Sequence, residues 1–293
     1  MLTKYKENYL LKGAGVGFGT FLLIEVILLN SKGYLVNPTR LDGFTNFRNF
    51  VLSAIILAPI LEEIAFRGFF TKHKILKIVS LIGLSLFVFS VSKLYLIILI
   101  PYLCLSVLVY SEKINIDRRI LYFISALLFA LVHYKVKHFS NIYAISPIIS
   151  QFSFGLLFVW LTINFNIIVS IGVHFLTNLS IIILLFLPLQ NPDQEEYTQV
   201  IDGYEIKWER TAVLNNPMMV SKPSKYEVKA KNVTPIELYK FYGTVNGQIK
   251  DYELFAKYNI NIKSIDSTQQ ALDSTIVKNL LSSTKLITEL EKL

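Results

Sequence analysis

Between Tyr9 and Pro188 the chain is a succession of apolar runs, each about as long as a helix that crosses a bilayer, separated by short polar or basic breaks. Such a chain has few folds open to it. In hydrocarbon every backbone N–H and C=O must find a partner within the protein, which leaves helices packed on one another. The composition agrees: 53% hydrophobic and 17% charged residues lie outside the range of soluble domains. One run carries a feature that a plain membrane helix does not need. Leu57 to Phe70, reading LAPILEEIAFRGFF, places Glu62, Glu63 and Arg67 at depth, where each charged side chain costs about 2.5–3.5 kcal/mol on insertion scales. On a helix Glu63 and Arg67, four residues apart, face each other, while Glu62 is turned about 100° away. One carboxylate can be paired, and the other is left to work.

The runs predict an all-α polytopic membrane protein of about seven transmembrane helices, followed by a small C-terminal soluble α+β domain. The expected spans are Tyr9–Asn30, Phe47–Phe70 with the acidic motif, Leu76–Val91 and Leu94–Tyr110 as a tight hairpin, Ile120–Lys137, Ala144–Asn164 and Ile167–Pro188. The first is too long for a signal-peptide core and no small-residue cleavage site follows it, so it is read as retained. Its Gly13, Gly15, Gly17 and Gly19 lack phosphate-loop spacing; Gly13 with Gly17 and Gly15 with Gly19 form small-xxx-small pairs suited to close helix packing. Glu25 in the same helix is assigned a hydrogen-bonded structural role, and Asn37-Pro38 and Asp42-Gly43 mark the loop that follows.

Met1 to Leu189 holds 16 of the 29 Lys and Arg but only 7 of the 21 Asp and Glu. Basic residues lying between apolar runs anchor to anionic headgroups, so the bilayer is the expected partner and nucleic acid is not. If the helices alternate, Lys4, Lys6, Lys12, Lys72, Lys74, Lys77, Lys113, Arg118 and Arg119 share one side. This bias favours a cytoplasmic N-terminus in a multi-pass plasma-membrane protein, with seven spans placing the C-terminal tail outside. Cys104 is the sole cysteine, which rules out an intramolecular disulfide; with no base beside it, it is assigned to packing.

From Gln190 the apolar runs stop, giving a transmembrane domain 1–189, with a motif-bearing core at 47–188, and a soluble domain 190–293. In the latter Asn191-Pro192, Asp202-Gly203 and Asn215-Asn216-Pro217 are turn signals, and Tyr226–Val233 and Tyr258–Ile265 alternate like strands. Thr234-Pro235-Ile236-Glu237 has capping-box form for a helix to Tyr242, and Gln269–Leu290 reads as helical. Without histidine, cysteine or phosphate loop, this domain is expected to bind an extracytoplasmic partner rather than to hold a second active site.

Two histidines of the membrane half stand beside informative neighbours. Phe129 and His133 lie one helical turn apart, and so do His174 and Asn178. Packing alone would have to place costly polar groups on three separate helices, whereas one shared site accounts for Glu62, Glu63, Arg67, His133, His174 and Asn178 together. In such a site Glu62 is the candidate general base for water, with His133 helping to hold or activate it, and His174 and Asn178 are candidate donors to an oxyanion. The reaction implied is hydrolysis of an acyl bond, most simply a peptide.

Glu62-Glu63-xxx-Arg67-Gly68, Phe129-xxx-His133 and His174-xxx-Asn178, in this order on successive hydrophobic helices, resemble the three motifs of the CPBP family of intramembrane proteases, which includes the type II CAAX prenyl endopeptidases and the bacterial Abi, or bacteriocin-immunity, proteins. The resemblance covers about Phe47 to Pro188. It implies a helical membrane core with a site reached from the cytoplasmic side. In that site Glu62 activates water, Glu63 and Arg67 form its structural pair, His133 is the second catalytic or metal-binding group, and His174 with Asn178 forms the oxyanion or metal side. Two readings of the chemistry stay open. Glu62, His133 and His174 could hold zinc or another divalent ion with an open water position, or the same residues could work with no cofactor. The second has the sequence in its favour, since the His-Glu-x-x-His spacing of a zinc protease helix is absent. The long interval from Arg67 to Phe129 and the soluble tail depart from the family pattern. The competing function is a non-enzymatic immunity or scaffold protein that binds a toxin or partner; a proton-coupled transporter is disfavoured by the lack of internal repeats.

Overall fold

In the computed structural model the described residues are 6–29, 47–134, 136, 139, 145–193, 195–214, 217–243, 249–251, 255–265 and 270–289. They divide into two compact units, Met1–Ser180 and Ile181–Leu293. The loop signals at Asn37-Pro38 and Asp42-Gly43, His138, and the side chain of Glu25 fall outside the described residues.

The first unit contains helices α1 (Asn8–Leu29), α2 (Phe47–Leu52), α3 (Ala58–Arg67), α4 (Lys74–Val91), α5 (Leu96–Tyr110), α6 (Arg119–Leu131), α7 (Ile145–Asn164) and the greater part of α8 (Ile167–Gln190). The α2 and α3 segments are joined through a π-helical turn, Ser53–Leu57, and run on into a 3₁₀ turn at Gly68–Phe70. Among the described residues five helices are long and apolar enough to cross a membrane: Asn49–Phe70, Lys74–Val91, Lys93–Tyr110, Ile145–Asn164 and Ile167–Gln190. The count of seven spans is thus only partly established. The α6 segment falls short of the expected Ile120–Lys137 helix: its 13 residues cover about 20 Å of the roughly 30 Å of hydrocarbon. It stops because the backbone tightens, with His133 and Tyr134 donating to Ala130 and Leu131 instead of continuing the α ladder.

Close approach of helices depends on glycine at a few positions. A Cβ on Gly13 would stand 3.2 Å from Leu156, and one on Gly17 would collide with the Ser153 hydroxyl, so this pair lies against α7. Gly15 and Gly19 meet nothing within 4 Å, and the second expected pair has no packing role here. At the α6–α7 crossing a Cβ on Gly155 would lie 2.9 Å from the Ala126 backbone. A Cβ on Gly68, which follows Arg67, would stand 2.9 Å from the Leu76 carbonyl, so α4 can lie across the end of α3 only without a side chain there. The buried core between these helices includes Phe66, Leu84, Val88, Tyr102, Leu128, Phe129 and Phe158, while Ile75, Leu86, Ile97, Ile168 and Leu184 point outward, as lipid-facing side chains do. Cys104 is exposed on α5, so core packing is not its role.

The second unit holds a five-stranded antiparallel sheet of order β1-β2-β6-β4-β3, with β1 Glu196–Ile201, β2 Tyr204–Thr211, β3 Met219–Ser224, β4 Glu227–Val233 and β6 Lys257–Ser264. Asp202 and Gly203 form the two-residue hairpin turn between β1 and β2; both have positive φ, 49° and 79°, which matches the right-handed strand twist. Alternating Val228, Ala230, Ile260, Ile262, Tyr204 and Ile206 form the inner face, packed with Leu238 of α9 (Pro235–Tyr242) and Val277, Leu280 and Leu281 of α10 (Ser274–Ser283). The expected capping box is present: Glu237 N donates to the Thr234 hydroxyl at 3.3 Å and Thr234 N to the Glu237 carboxylate at 2.8 Å. The expected helix Gln269–Leu290 is corrected. Asp273 caps Thr275 and Ile276 at 2.9 Å and so starts α10 at Ser274. The helix ends in Ser282-Ser283-Thr284, all weak helix formers, and after Lys285 (φ 58°) the chain turns into β7, Ile287–Glu289, which pairs with β5, Ile249–Asp251.

Asp251 accepts the Ile236 N–H at 2.8 Å beside the α9 N-terminus. Burial pushes its carboxyl up to about 6, against the pull of the Ile236 and Thr234 hydrogen bonds. The native state therefore holds this proton more tightly than the unfolded chain. The contribution of Asp251 to stability is expected to be fully present below about pH 4, to fall by about 3 kcal/mol as pH rises to about 6, and to level off above that. Thermal unfolding of the full chain read at Trp208 in a Trp160→Phe background should show this slope, and Asp251→Asn should flatten it.

Candidate active site

The buried face of α3 brings together five of the six expected residues, Glu62, Glu63, Arg67, His133 and His174. Glu63 is the hub. Its Oε1 lies 3.2 Å from Arg67 Nη1 and 3.0 Å from His174 Nδ1, and its Oε2 lies 2.6 Å from the Ser170 hydroxyl. Glu63 and Arg67 are fully buried, and the hydrogen bonds from Ser170 and His174 with the ion pair to Arg67 replace what a carboxylate loses on leaving water. The other Nη of Arg67 reaches the Gly155 carbonyl at 3.4 Å, and its guanidinium carbon lies 4.1 Å from the centre of the Phe129 ring, with Phe158 and Phe66 at 5.3 and 5.5 Å. An arginine is needed for this: a planar, weakly hydrated cation can stack on aromatic faces while its edge binds a carboxylate.

The arginine-to-carbonyl bond depends on Gly155, because only a residue without Cβ brings α7 this close to α6. Ser80 on α4 and Ser125 on α6 donate at 2.7 Å to the carbonyls of Ala65 and Phe66. These lie in the last turn of α3, where helical donors run out, and the two hydroxyls tie the motif helix to both neighbours.

His133 stands in the turn that ends α6. Since Val132 donates to Leu128 and His133 N to Ala130, the Phe129 carbonyl is left for the imidazole, which meets it through Nδ1 at 2.7 Å. A carbonyl only accepts, so Nδ1 carries the proton and a neutral ring turns Nε2 as an acceptor toward Glu62, whose Oε2 is 3.7 Å away. The Phe129-xxx-His133 spacing thus serves a carbonyl-to-imidazole bond as well as the ring contact at 4.9 Å. Tyr95, at the head of α5, donates its hydroxyl to the Tyr134 carbonyl at 2.7 Å and holds the same turn. The hairpin of α4 and α5, which lengthens the interval between motifs, therefore supports the site.

On α8, His174 stacks on Phe158 with centroids 4.5 Å apart, and its Nδ1 is taken by Glu63. Asn178, one turn on, gives its amide to the Ala54 carbonyl at 2.8 Å. Glu62 with His133, and Glu63 with Arg67 and His174, form two adjoining groups. Asn178 bonds the π-helical turn of the motif segment, and His73 sits exposed at the start of α4, away from both groups.

Ser170, Gly155, Ser125 and Tyr95 were not singled out in the sequence. Ser170 had a readable signal: Ser170, His174 and Asn178 are spaced by four along one face of α8. The other three act through backbone carbonyls and left no such mark. Among the described residues no three of His, Cys, Asp and Glu are grouped to hold an ion. His133 and His174 each turn Nδ1 to an acceptor, the Phe129 carbonyl and the Glu63 carboxylate, an arrangement that fixes the ring and directs Nε2 for proton transfer or for ligation alike.

The comparison with protein families matches residues 45–180 to the family described as type II CAAX prenyl endopeptidase, Rce1-like. The match takes in all three motifs and ends just past Asn178. No curated protein and no solved structure matches the chain. With five helices among the described residues able to cross a bilayer, the chain is an integral membrane protein. Residues 45–180, just under half of the chain, are thus similar to the type II CAAX prenyl endopeptidases of the CPBP, or CAAX protease, family.

Proposed function

We propose that this protein is an intramembrane endopeptidase that hydrolyses a peptide bond in a membrane-associated or lipophilic protein or peptide, with prenylated CAAX termini as the first substrate class to test. The observation that carries this reading is the division between two adjacent carboxylates. Glu63 is bonded on both oxygens to Ser170, His174 and Arg67, whereas Glu62, 1% exposed, faces an imidazole nitrogen. A water within reach of both Glu62 and His133 Nε2 would be oriented by the ring and deprotonated by the carboxylate. The hydroxide adds to the scissile carbonyl carbon, and Glu62 hands the proton to the leaving amine as the C–N bond breaks. Of the donors expected at the oxyanion, His174 would act through Nε2. Because Nδ1 donates to Glu63, Nε2 donates only when the ring is charged, and Glu63 is placed to stabilise that charge. The mechanism is proposed without a metal.

The seven-span topology, a cytoplasmic N-terminus in the plasma membrane and an outward C-terminal domain that binds a partner are part of the same proposal, supported by the distribution of lysine and arginine.

The test is turnover of a farnesylated peptide with a CAAX terminus in proteoliposomes, with products read by mass spectrometry. Wild type should cut it, and His133→Ala should lower kcat by about 10²-fold or more. Equal turnover by both would overturn the scheme, and no turnover by wild type would favour the scaffold or immunity reading.

A further inference from the structure

The π-helical turn before the acidic motif has an identifiable cause, and Asn178 answers it. In a helix the Ala54 carbonyl can accept from residue 58 or, in a π turn, from residue 59. The Ala58 N–H is bonded to Ser53 O, and residue 59 is proline, which has no N–H. Both helical donors are thus lost to Ala54, in a segment that crosses the hydrocarbon, where water is not there to replace them. The Asn178 amide takes this carbonyl at 2.8 Å. On the next turn of the same helix His174 holds Glu63, so α8 grips the motif segment on both sides of Pro59.

We propose that Asn178 is a positioning residue: it completes the π turn that Pro59 opens, and so sets the rotation of α3 that points Glu62 at His133 while Glu63 stays on Arg67. This rests on the peptidase reading for its consequence in turnover, but not for the lock itself. An oxyanion donor and a helix lock make opposite predictions about Pro59. If Asn178 serves Ala54, returning an N–H to residue 59 should make Asn178 dispensable. If it serves the oxyanion, that change cannot compensate for its loss.

Wild type, Asn178→Ala, Pro59→Ala and the double variant of the full chain should be compared in detergent by hydrogen–deuterium exchange of the Ser53–Phe70 segment, and in proteoliposomes by kcat and KM on the farnesylated peptide. Asn178→Ala is expected to speed exchange about tenfold or more, as for a half-buried carbonyl in the membrane left without its donor, and to lower kcat with little change in KM. Pro59→Ala alone should change little, and the double variant should recover most of both losses. Unchanged exchange in Asn178→Ala, or a double variant as impaired as the single one, would overturn the proposal. If Asn178→Ala cannot be recovered folded, folded yield of the double variant becomes the readout: restored yield supports the lock, and failure of both overturns it. Absence of turnover in wild type would count against the peptidase reading alone, and exchange would still decide the role of Asn178.

Discussion

Glu62→Gln is expected to lower turnover by about 10²–10⁴-fold while the protein stays folded. Glutamine keeps the shape and volume of the side chain, so packing around a residue 1% exposed is preserved. What is lost is the proton acceptor: an amide cannot take the proton from water at the position opposite His133 Nε2. The thermal midpoint in detergent should be unchanged or higher, because a carboxylate kept in an apolar site for chemistry is a cost to stability. Full activity with Glu62→Gln would refute a base at this position. Large loss of both activity and stability would instead make Glu62 part of the framework.

Arg67→Met is expected to act in the opposite way, by removing the fold. Methionine fills much of the space under Phe129 but leaves the Glu63 charge buried with only Ser170 and His174 beside it. Breaking a fully buried pair in this manner costs about 3–5 kcal/mol, a large part of the stability of a typical domain. Low yield and a thermal midpoint lowered by many degrees are the expected readouts. The double variant with Glu63→Gln, which removes the stranded charge as well, should recover part of the loss. A midpoint within a degree or two of wild type for Arg67→Met alone would show that the pair contributes little and would undo the division of roles between the glutamates.

The pairing of Glu63 with Arg67 was legible before any coordinates because it lies within one helix, where a separation of four residues alone puts two side chains together. The same holds for the capping box at Thr234, the Asp202-Gly203 turn and the apolar spans, all of which depend on near neighbours in the chain. The errors fell where local pattern competes with distant pairing. The stretch from Gln269 to Leu290 read as one helix, yet its end pairs as β7 with a strand from Ile249 to Asp251. The fifth apolar run read as a helix to Lys137, yet the chain turns at His133, held there by the Phe129 and Tyr134 carbonyls.

The residue types, their order and their one-turn spacings thus singled out Glu62, Glu63, Arg67, His133, His174 and Asn178 as candidates and pointed to a membrane hydrolase. Which partner each one takes was another matter. His174 and Asn178 look alike in sequence as donors one turn apart, but one meets Glu63 and the other meets the carbonyl that Pro59 leaves open. Ser170, Gly155, Ser125 and Tyr95 entered only with the fold. Their work is done on carboxylates and backbone carbonyls that lie 39 to 107 positions away: Ser170 on Glu63 at 107, Arg67 on Gly155 at 88, Ser125 on Phe66 at 59 and Tyr95 on Tyr134 at 39, a separation that only helix packing closes. Side-chain chemistry and helical period are local properties and can be read along the chain. Satisfaction of buried carbonyls is a property of the packed bundle, because in a medium without water each must find its donor on whichever helix the packing brings near.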